Sequence, residues 1–544
     1  MKRKVLITST GLYIFSGWRL FFAALGICSL LSGCASLPID YPRKVSTAFD
    51  QPGETKLTRD VGLLSAGHPG KSGFYSLDNG LDAFLARAAL IEGAGKTVDL
   101  QYYIIHPDLT GKLLMGFLLK AADRGVRVRL LVDDMNEGGR DFNVAGFSAH
   151  PNIEVRIFNP YTGRSSFPRM FDYITDFSRA QRRMHNKMFI VDGVAAVVGG
   201  RNLGDEYFAA REDVNFADAD LLALGPVVKE CGEEFDKYWN SNLALPIEAL
   251  IETTRAEAHL KEVSSVLLSH IEAQKESTYA LRLRETDFLR QLKEKSLPIT
   301  WATSKLVYDL PEKINSHGKP EDSITLWPGV SEYVQNAKSE LILMSPYFVP
   351  GDAGVASLKA LKDRGVQVRI LTNSLASNDV SIVHGGYSKY REALLRSGIE
   401  LYEIRPTPNI LRVKETRERF GSPGASLHAK IFILDRNVLF VGSANLDPRS
   451  RDLNTEVILI VESPELAGEF ASHFELITQP AYSFRVELEK TFPASVGPAV
   501  GDGEMIWIGE EDGKAVIYRD EPFTGFWKNF FAKILSPFAP ESIL

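Results

Sequence analysis

Cysteine is scarce in this chain, with three residues among 544. Cys28 and Cys34 lie in the N-terminal segment, which leaves Cys231 without a partner for an intramolecular disulfide. The sequence also lacks Cys and His at the spacings that hold structural metal ions. Because 44% of the residues are hydrophobic, we expect a fold stabilised by its apolar core, with no metal site and no cofactor.

A long hydrophobic run is also missing from the N-terminal segment. Its apolar stretch covers residues 20–31, too short to span a bilayer, and extending it upstream would bury Arg19. Basic residues precede the stretch and the sequence LSGC ends it, which resembles a bacterial lipobox. We therefore predict a signal peptide over 1–33, a lipid on Cys34 and a linker over 34–56. A transmembrane helix is the alternative. The lipobox predicts a lipid-anchored protein of the bacterial cell envelope that faces the periplasm.

The chain also has no excess of basic residues. Removing residues 1–33 takes away four basic residues and no acidic one, which leaves 58 basic residues against 69 acidic ones. Non-specific nucleic-acid binding depends on neutralising phosphates with Lys and Arg. This balance is therefore unfavourable for nucleic acid as a partner.

The chain contains an internal repeat. Residues 123–131 read DRGVRVRLL and residues 363–371 read DRGVQVRIL. In each case an apolar strand and a helical stretch come before the repeat, and a Gly suited to ending the helix comes before a second strand. Strand–helix–strand order predicts parallel pairing, and therefore an α/β fold.

A second pair of similar runs lies later in each half. Residues 185–202 and 428–445 both fit the pattern His-x-Lys-x4-Asp-x6-Gly-[Gly/Ser]-x-Asn. Two repeats in the same order predict two lobes of similar layout, over 57–250 and 320–485. The connecting residues 251–319 are charged and helical in pattern, as in an inserted helical cap or a solvated linker.

The C-terminal segment, residues 486–544, carries an apolar stripe. Phe526, Phe530 and Ile534 are spaced four residues apart, and lysines lie off that stripe. Such a helix fits the surface of a membrane, although core packing against the second lobe fits equally well.

The His and Lys of each pattern are suited to phosphoryl transfer. Residues two apart on an extended strand share a face, so His185 and Lys187 point the same way, as do His428 and Lys430. Two such pairs form a symmetric pocket in which the lysines bind the non-bridging oxygens of one phosphate. One His then attacks phosphorus to give a phosphohistidine, and the other serves as general acid and base.

The remaining pattern residues complete this pocket. A hairpin returns Asn202 and Asn445 to the phosphate, where their amides bind its oxygens. The run Asp192-Gly193 is a strong signal for a tight turn. Asp192 and Asp435 are counted with the catalytic residues of the pattern, although the local chemistry of Asp favours a turn role for both.

Each His needs a carboxylate that holds its tautomer. Glu456 opens the strand that follows the second pattern. In the first half, Asp218 matches Glu456 when residues are counted back from the end of the strand, while Asp220 and Asp213 are alternatives.

The two patterns identify the chain as resembling the phospholipase D superfamily. Residues 199–207 (GGRNLGDEY) and 442–450 (GSANLDPRS) are similar to bacterial cardiolipin synthases, and residues 173–179 and 372–379 resemble the class C branch of those enzymes. The resemblance implies two lobes, each a mixed sheet flanked by helices, with the site between them. It also implies membrane phospholipids as substrates, with phosphatidylglycerol joined to a phosphatidyl group from phosphatidylethanolamine.

The resemblance also implies roles for single residues. His185 would be the nucleophile and His428 the acid and base. Ser443 would contact the phosphate, and Gly200 stands at the equivalent place in the first half, where many superfamily members have Ser. A phospholipase D that hydrolyses phospholipids to phosphatidic acid is the main alternative. An exported nuclease and a non-catalytic envelope lipoprotein are weaker ones, and the oligomeric state is not predicted.

Overall fold

The computed structural model describes residues 37–38, 40–48, 54–136, 141–164, 177–211, 215–251, 256–316, 318–378, 381–406, 426–489 and 503–524. The signal peptide, Cys34 and the apolar stripe of the C-terminal segment lie outside these ranges, so the predictions about them stay predictions. Within the described part of the chain, no helix combines the length and the apolar character needed to cross a membrane.

The first lobe is built on a nine-stranded mixed sheet in the order β8–β4–β3–β2–β5–β6–β7–β1–β9. The strands are β1 (Ser72–Leu77), β2 (Thr97–Tyr102), β3 (Arg127–Asp133), β4 (Ile153–Phe158), β5 (Met188–Val191), β6 (Ala195–Gly199), β7 (Asp220–Leu224), β8 (Ala244–Pro246) and β9 (Thr300–Tyr308). The helices are α1 (Lys56–Ser65), α2 (Gly80–Gly93), α3 (Leu109–Asp123), α4 (Asp141–Ser148), α5 (Phe177–Ala180), α6 (Val227–Trp239) and α7 (Ile247–Leu250). Only β2–β3 and β3–β4 pair in parallel.

The second lobe repeats this layout in the order β9–β15–β14–β13–β10–β11–β12–β16–β17–β18. Its further strands are β10 (Glu340–Met344), β11 (Gln367–Asn373), β12 (Glu400–Ile404), β13 (Ile431–Leu434), β14 (Val438–Gly442), β15 (Val457–Glu462), β16 (Ser483–Leu488), β17 (Met505–Glu511) and β18 (Lys514–Tyr518). Here β10–β11 and β11–β12 are the parallel pairs. The α/β fold with two similar lobes is therefore confirmed.

Helices α8 (Ala256–Gln274), α9 (Thr278–Arg284) and α10 (Asp287–Glu294) follow the first lobe, and α11 (Trp327–Gln335), α12 (Gly351–Asp363), α13 (Ser381–Ser388), α14 (Arg391–Arg396) and α15 (Pro464–Ile477) belong to the second. The DRG repeat ends α3 and α12 as its sequence predicts. Gly125 and Gly365 adopt φ values of 91° and 89°, which a residue with a side chain rarely adopts, and β3 and β11 begin two residues later.

Strand β9 joins the two sheets. Thr300, Trp301 and Ala302 pair with β1, and the residues from 303 to 308 pair with β15. This strand lies within residues 251–319, which the sequence predicted to be a helical insertion or a linker. Its buried and exposed residues do not alternate regularly, so the sequence pattern does not indicate a strand. The preceding helices α8–α10 do pack on the first lobe, where Leu267, Ile271 and Phe288 join its apolar core.

The two sheets also share an apolar core. One cluster of buried residues contains Ile190 and Val198 from the first sheet and Ile433 and Leu459 from the second. Burial of such side chains contributes roughly 1.5–3 kcal/mol each, so this shared core stabilises the contact between the lobes. The site between them is therefore held in a fixed geometry.

The hairpins β5–β6 and β13–β14 confirm the predicted return of the chain. Each turns through two consecutive residues with positive φ, Asp192 and Gly193 in the first lobe and Asp435 and Arg436 in the second. The Asp192 carboxylate accepts hydrogen bonds from three backbone amides at the start of β2. The Asp435 carboxylate does the same at the start of β10. Both carboxylates are thus occupied by the backbone, which favours the turn role over a direct catalytic one.

Replacing Asp192 with Ala should lower the free energy of unfolding by about 3 kcal/mol, because the amides of Gly95, Lys96 and Thr97 would lose their acceptor inside the protein. Asp435→Ala should cost less, about 1–2 kcal/mol, since that carboxylate is partly exposed and water can replace it. Urea unfolding followed by tryptophan fluorescence measures both. An Asp192→Ala protein as stable as the wild type would contradict the structural role.

Candidate active site

The two patterns meet at the interface between the lobes. Their His and Lys lie in extended segments just before β5 and β13 rather than within those strands. The amide of His185 donates to the carbonyl of Thr455 at 2.9 Å, and the amide of His428 donates to the carbonyl of Ala217 at 2.8 Å. Each pattern is therefore hydrogen-bonded to the opposite lobe. The acceptor is the residue just before the carboxylate that pairs with its histidine, Thr455 before Glu456 and Ala217 before Asp218.

The carboxylates pair with the histidines across the interface. Nδ1 of His185, in the first lobe, lies 2.8 Å from Oε2 of Glu456 in the second. Nδ1 of His428 lies 2.5 Å from Oδ2 of Asp218 in the first. With Nδ1 bound to a carboxylate, Nε2 is the ring atom left for chemistry, as in hydrolase triads. Each pair of histidine and carboxylate therefore takes one residue from each lobe.

Of the three acidic candidates in the first half, the structure brings Asp218 to a histidine. The carboxylate of Asp220 instead forms a buried ion pair with Arg87 at 2.9 Å and lies 3.4 Å from Arg201. Asp213 lies outside the described residues. Strand β7 begins at Asp220, and Asp218 lies two residues before it, where the chain forms backbone hydrogen bonds with the second lobe.

Hydroxyl groups hold the Glu456 carboxylate. Ser443 donates to Oε2 at 2.5 Å and Ser450 donates to Oε1 at 2.6 Å. The oxygen of Ser443 also accepts the amide of Val457. Ser443 thus donates its single hydroxyl proton to Glu456, and its expected contact with phosphate stays a prediction.

The first lobe differs at this point. A Cβ on Gly200 would lie 2.2 Å from Oδ1 of Asp218, so there is no room for the Ser that the second lobe has. The amide of Ala219 donates to that oxygen instead, at 2.8 Å. The shorter carboxylate of Asp218 thus packs against Gly200, whereas Glu456 uses the hydroxyls of the second lobe.

The two lysines are buried beside the histidines. Nζ of Lys187 donates to the carbonyl of His185 at 2.5 Å, and Lys430 donates to the carbonyl of His428. Burial lowers the pKa of Lys187 to about 7, with Lys430 lowering it further and Glu456 opposing the shift. A bound anion would favour the charged form of each lysine.

Both histidines are buried, with 7% of His185 and 8% of His428 exposed. Burial lowers the pKa of His185 to about 4, Glu456 opposes the shift and Lys187 adds to it. The pKa of His428 is lowered by burial and then by Lys430, against Asp218. Burial raises the pKa of Asp218, but His428 outweighs it and brings the value to about 2. These lowered pKa values keep both rings neutral near pH 7, and the lowered pKa values of Asp218 and Glu456 keep both carboxylates charged.

The two predicted asparagines are buried at equivalent positions beyond the hairpins. The amide nitrogen of Asn202 donates to the hydroxyl of Tyr207, and its oxygen accepts the amide of Ile104. The backbone amide of Asn445 donates to Ser450, which in turn donates to Glu456. Asn202 thus fixes neighbouring groups of the site, and its contact with phosphate stays a prediction.

Aromatic rings line the site, and the pattern gave no signal for them. The ring of Tyr103 packs edge-on against His185 with centroids 5.0 Å apart, and Lys187 lies over its face. The ring centroids of Tyr207 and Phe216 lie 5.2 and 5.1 Å from that of His428. These rings restrict both imidazoles and keep water away from them.

A second layer that the sequence analysis missed lies behind His185. Asn186 donates to Glu234 at 2.7 Å and accepts from Thr455 at 2.8 Å. Burial raises the pKa of Glu234 to about 8, although Asn186 and Gln101 lower it. This network links the His185 segment to the residue before Glu456, so it fixes the register of the two lobes.

Comparisons with known proteins identify the family of this chain. The family described as "Cardiolipin synthase, PLD-like domain" matches residues 88–239 and 330–478. Cardiolipin synthase C of Escherichia coli (strain K12) is 40% identical over 489 residues, which are 90% of this chain and all of that protein. Cardiolipin synthase A of Pseudomonas entomophila (strain L48) is 27% identical over 396 residues, 72% of this chain and 66% of that one.

A solved structure shares the fold. The crystal structure of phosphatidylserine synthase from Haemophilus influenzae Rd KW20 matches with a TM-score of 0.50 at 12% identity, over 78% of this chain and 91% of that chain. The family match and the similarity to cardiolipin synthase C confirm the resemblance to the phospholipase D superfamily. The family match covers both lobes, so this chain belongs to the cardiolipin synthase family of phospholipase D-like proteins.

Proposed function

We propose that this chain is a phosphatidyltransferase that forms cardiolipin from phosphatidylglycerol and a phosphatidyl donor, with phosphatidylethanolamine as that donor. The observation that carries the proposal is the pair of buried histidines, each bound through Nδ1 to a carboxylate of the opposite lobe. The whole-length similarity to a cardiolipin synthase supports the choice of lipid substrates.

The reaction begins with attack of His185 Nε2 on phosphorus. The bond from phosphorus to the alcohol oxygen breaks, and His428 gives that oxygen its proton. The product is a phosphohistidine that carries the phosphatidyl group. Glu456 stabilises the positive charge that develops on His185, and Lys187 and Lys430 bind the negative oxygens of the phosphate.

The second step reverses the roles. His428, now neutral, takes the proton from the incoming hydroxyl of phosphatidylglycerol, whose oxygen attacks phosphorus and displaces His185. The proton that His428 takes up here balances the one that it gave in the first step. The ring loses this proton when the product leaves and regains one when the next anionic phosphate binds. Asp218 stabilises His428 whenever it is charged, since its lowered pKa keeps it ionised throughout.

Hydrolysis to phosphatidic acid is the second candidate, because water can take the place of the lipid hydroxyl. The burial of both histidines and their aromatic neighbours favours transfer, since few water molecules reach such a site. Anchoring through Cys34 at the periplasmic face, outside the described residues, would place the site beside its substrates. Nucleic acid is a poor substrate for a chain with this acidic balance.

Cardiolipin should accumulate when the purified protein is given vesicles of phosphatidylglycerol and labelled phosphatidylethanolamine, with phosphatidic acid as a minor product. Thin-layer chromatography of the labelled lipids measures both. His185→Ala should abolish product, whereas His150→Ala, a control that removes a buried His outside the site, should not. Phosphatidic acid as the dominant product would assign the protein as a hydrolase.

His428→Ala should slow release of the intermediate by about 10²–10⁴-fold, because the general base for the second step is gone. With a lipid that has a reactive leaving group, intact-mass spectrometry should show one phosphatidyl group on this variant. Peptide mapping should place it on His185. A phosphatidyl group on His428 in a His185→Ala protein would reverse the two roles.

Sulfate should bind more tightly as the pH falls from about 8 to about 5.5. The pKa values of His185, His428 and Lys187 are lowered in the empty site, and a bound anion favours their charged forms. Binding therefore takes up protons, with up to about ten-fold per pH unit for each proton. Calorimetry in two buffers measures the uptake. His428→Asn should flatten the dependence, and affinity independent of pH in the wild type would contradict the neutral empty site.

A further inference from the structure

An apolar cavity of about 300 Å³ lies in the first lobe. Its walls come from β3, β4, α3 and α4, and α8 of the inserted segment covers it. Aliphatic and aromatic side chains form most of the lining, including Met115, Val144, Phe147, Val263 and Val266. A cavity of this size with few polar groups is typical of a site for an apolar ligand.

The loop after β2 borders both this cavity and the active site. Tyr103 packs against His185, while Ile105 and His106, two and three residues further along, line the cavity. Three residues of extended chain span at most roughly 11 Å. Ile105 also pairs with Leu203, the residue after Asn202. One end of the cavity therefore lies beside the first half of the phosphate pocket.

A second apolar cavity, of about 260 Å³, lies in the second lobe between α11 and α12. Phe348 and Leu446 both line it. They form an isolated parallel bridge with each other, and Ile105 and Leu203 form the equivalent bridge in the first lobe. Leu446 follows Asn445. Each lobe thus has an apolar cavity at the loop that borders its own half of the site. The two cavities lie on different sides of the equivalent helices α3 and α12.

We propose that these cavities hold acyl chains of the two phospholipids that the reaction joins, the donor in the first lobe and the acceptor in the second. The inference rests on the proposed function. The donor belongs to the first lobe because its phosphatidyl group becomes attached to His185, whose ring contacts the loop of the first cavity. A hydrolase needs one lipid, whereas a transferase that joins two lipids needs both cavities.

The chemistry of the linings favours lipid chains. Val266 is 54% exposed at the first cavity, so an apolar surface there stays in contact with solvent unless a ligand or membrane covers it. Charged groups, Lys112 and Glu262 in the first cavity and Asp447 and Arg451 in the second, are few and leave the apolar walls continuous. Each methylene group buried there contributes about 0.8 kcal/mol, or about four-fold in affinity.

Filling each cavity tests the assignment. With long-chain phosphatidylglycerol and phosphatidylethanolamine, Val144→Phe should lower cardiolipin and phosphatidic acid together by about ten-fold, the loss of about two buried methylene groups. The defect should shrink with dihexanoyl lipids, which do not reach the cavity. Val334→Phe, in the second cavity, should instead raise the ratio of phosphatidic acid to cardiolipin by about ten-fold, because water then replaces the acceptor.

Matched controls place the same ring on the outer faces of the covering helices. Ser265 in α8 and Glu332 in α11 are exposed and line neither cavity, so Ser265→Phe and Glu332→Phe should leave both products unchanged. Equal losses of both products in the two filled variants, at every chain length, would overturn the proposal while the proposed function stands. A wild type that converts no phospholipid would overturn both.

Photolabelling tests the cavities in the unaltered protein. A phospholipid with a diazirine at the end of one acyl chain should label peptides that contain residues 143–147 or 263–267 in the first lobe and 330–335 or 354–358 in the second. Excess unlabelled phosphatidylglycerol should reduce the labelling of the second lobe more than that of the first. Labels confined to other surfaces would show that the chains lie elsewhere and overturn the proposal.

Discussion

The crossed pairing of histidine and carboxylate is the interaction on which the site depends. His185 and Glu456 lie 271 residues apart in the chain, and His428 and Asp218 lie 210 apart. A buried imidazole without its carboxylate would take any tautomer, and a buried carboxylate without a partner would be costly. The lobes must therefore meet in one register before any chemistry is possible. The shared core, β9 and the backbone bonds at Thr455 and Ala217 provide that register.

The duplicated site is not symmetric, and the differences follow from side-chain length. Glu456 is held by Ser443 and Ser450, whereas Asp218 packs against Gly200 and takes an amide hydrogen bond. The proposed nucleophile, His185, and the proposed general acid, His428, are thus held by carboxylates that differ in length and in hydrogen-bond partners. This difference between the two pairs is consistent with a different role for each histidine. The same asymmetry extends outward, because α8 covers a cavity of the first lobe and α11 borders that of the second.

Much of the fold was predictable where local chemistry governs it. The DRG repeats predicted the ends of α3 and α12 and the parallel strands after them, because glycine with positive φ ends a helix irrespective of the surroundings. Strand β9 was not predictable, because its pairing partners lie in two different sheets and its side chains have no regular period of burial. Strands β17 and β18 extend the second sheet beyond the predicted end of the lobe at residue 485, because β17 pairs with β16 and β18 pairs with β17.

The sequence by itself indicated the reaction class, since two copies of one His-Lys pattern predict two histidines and two lysines around one phosphate. It also placed Glu456 just before a strand, and it named Asp218 as the matching residue of the first half, with Asp220 and Asp213 as alternatives. Only the tertiary structure decided that each carboxylate serves the histidine of the other lobe, that Ser443 donates to Glu456, and that Asp192 and Asp435 bind backbone amides. Those outcomes depend on which atoms meet across an interface, and spacing along the chain contains no information about contacts between distant segments.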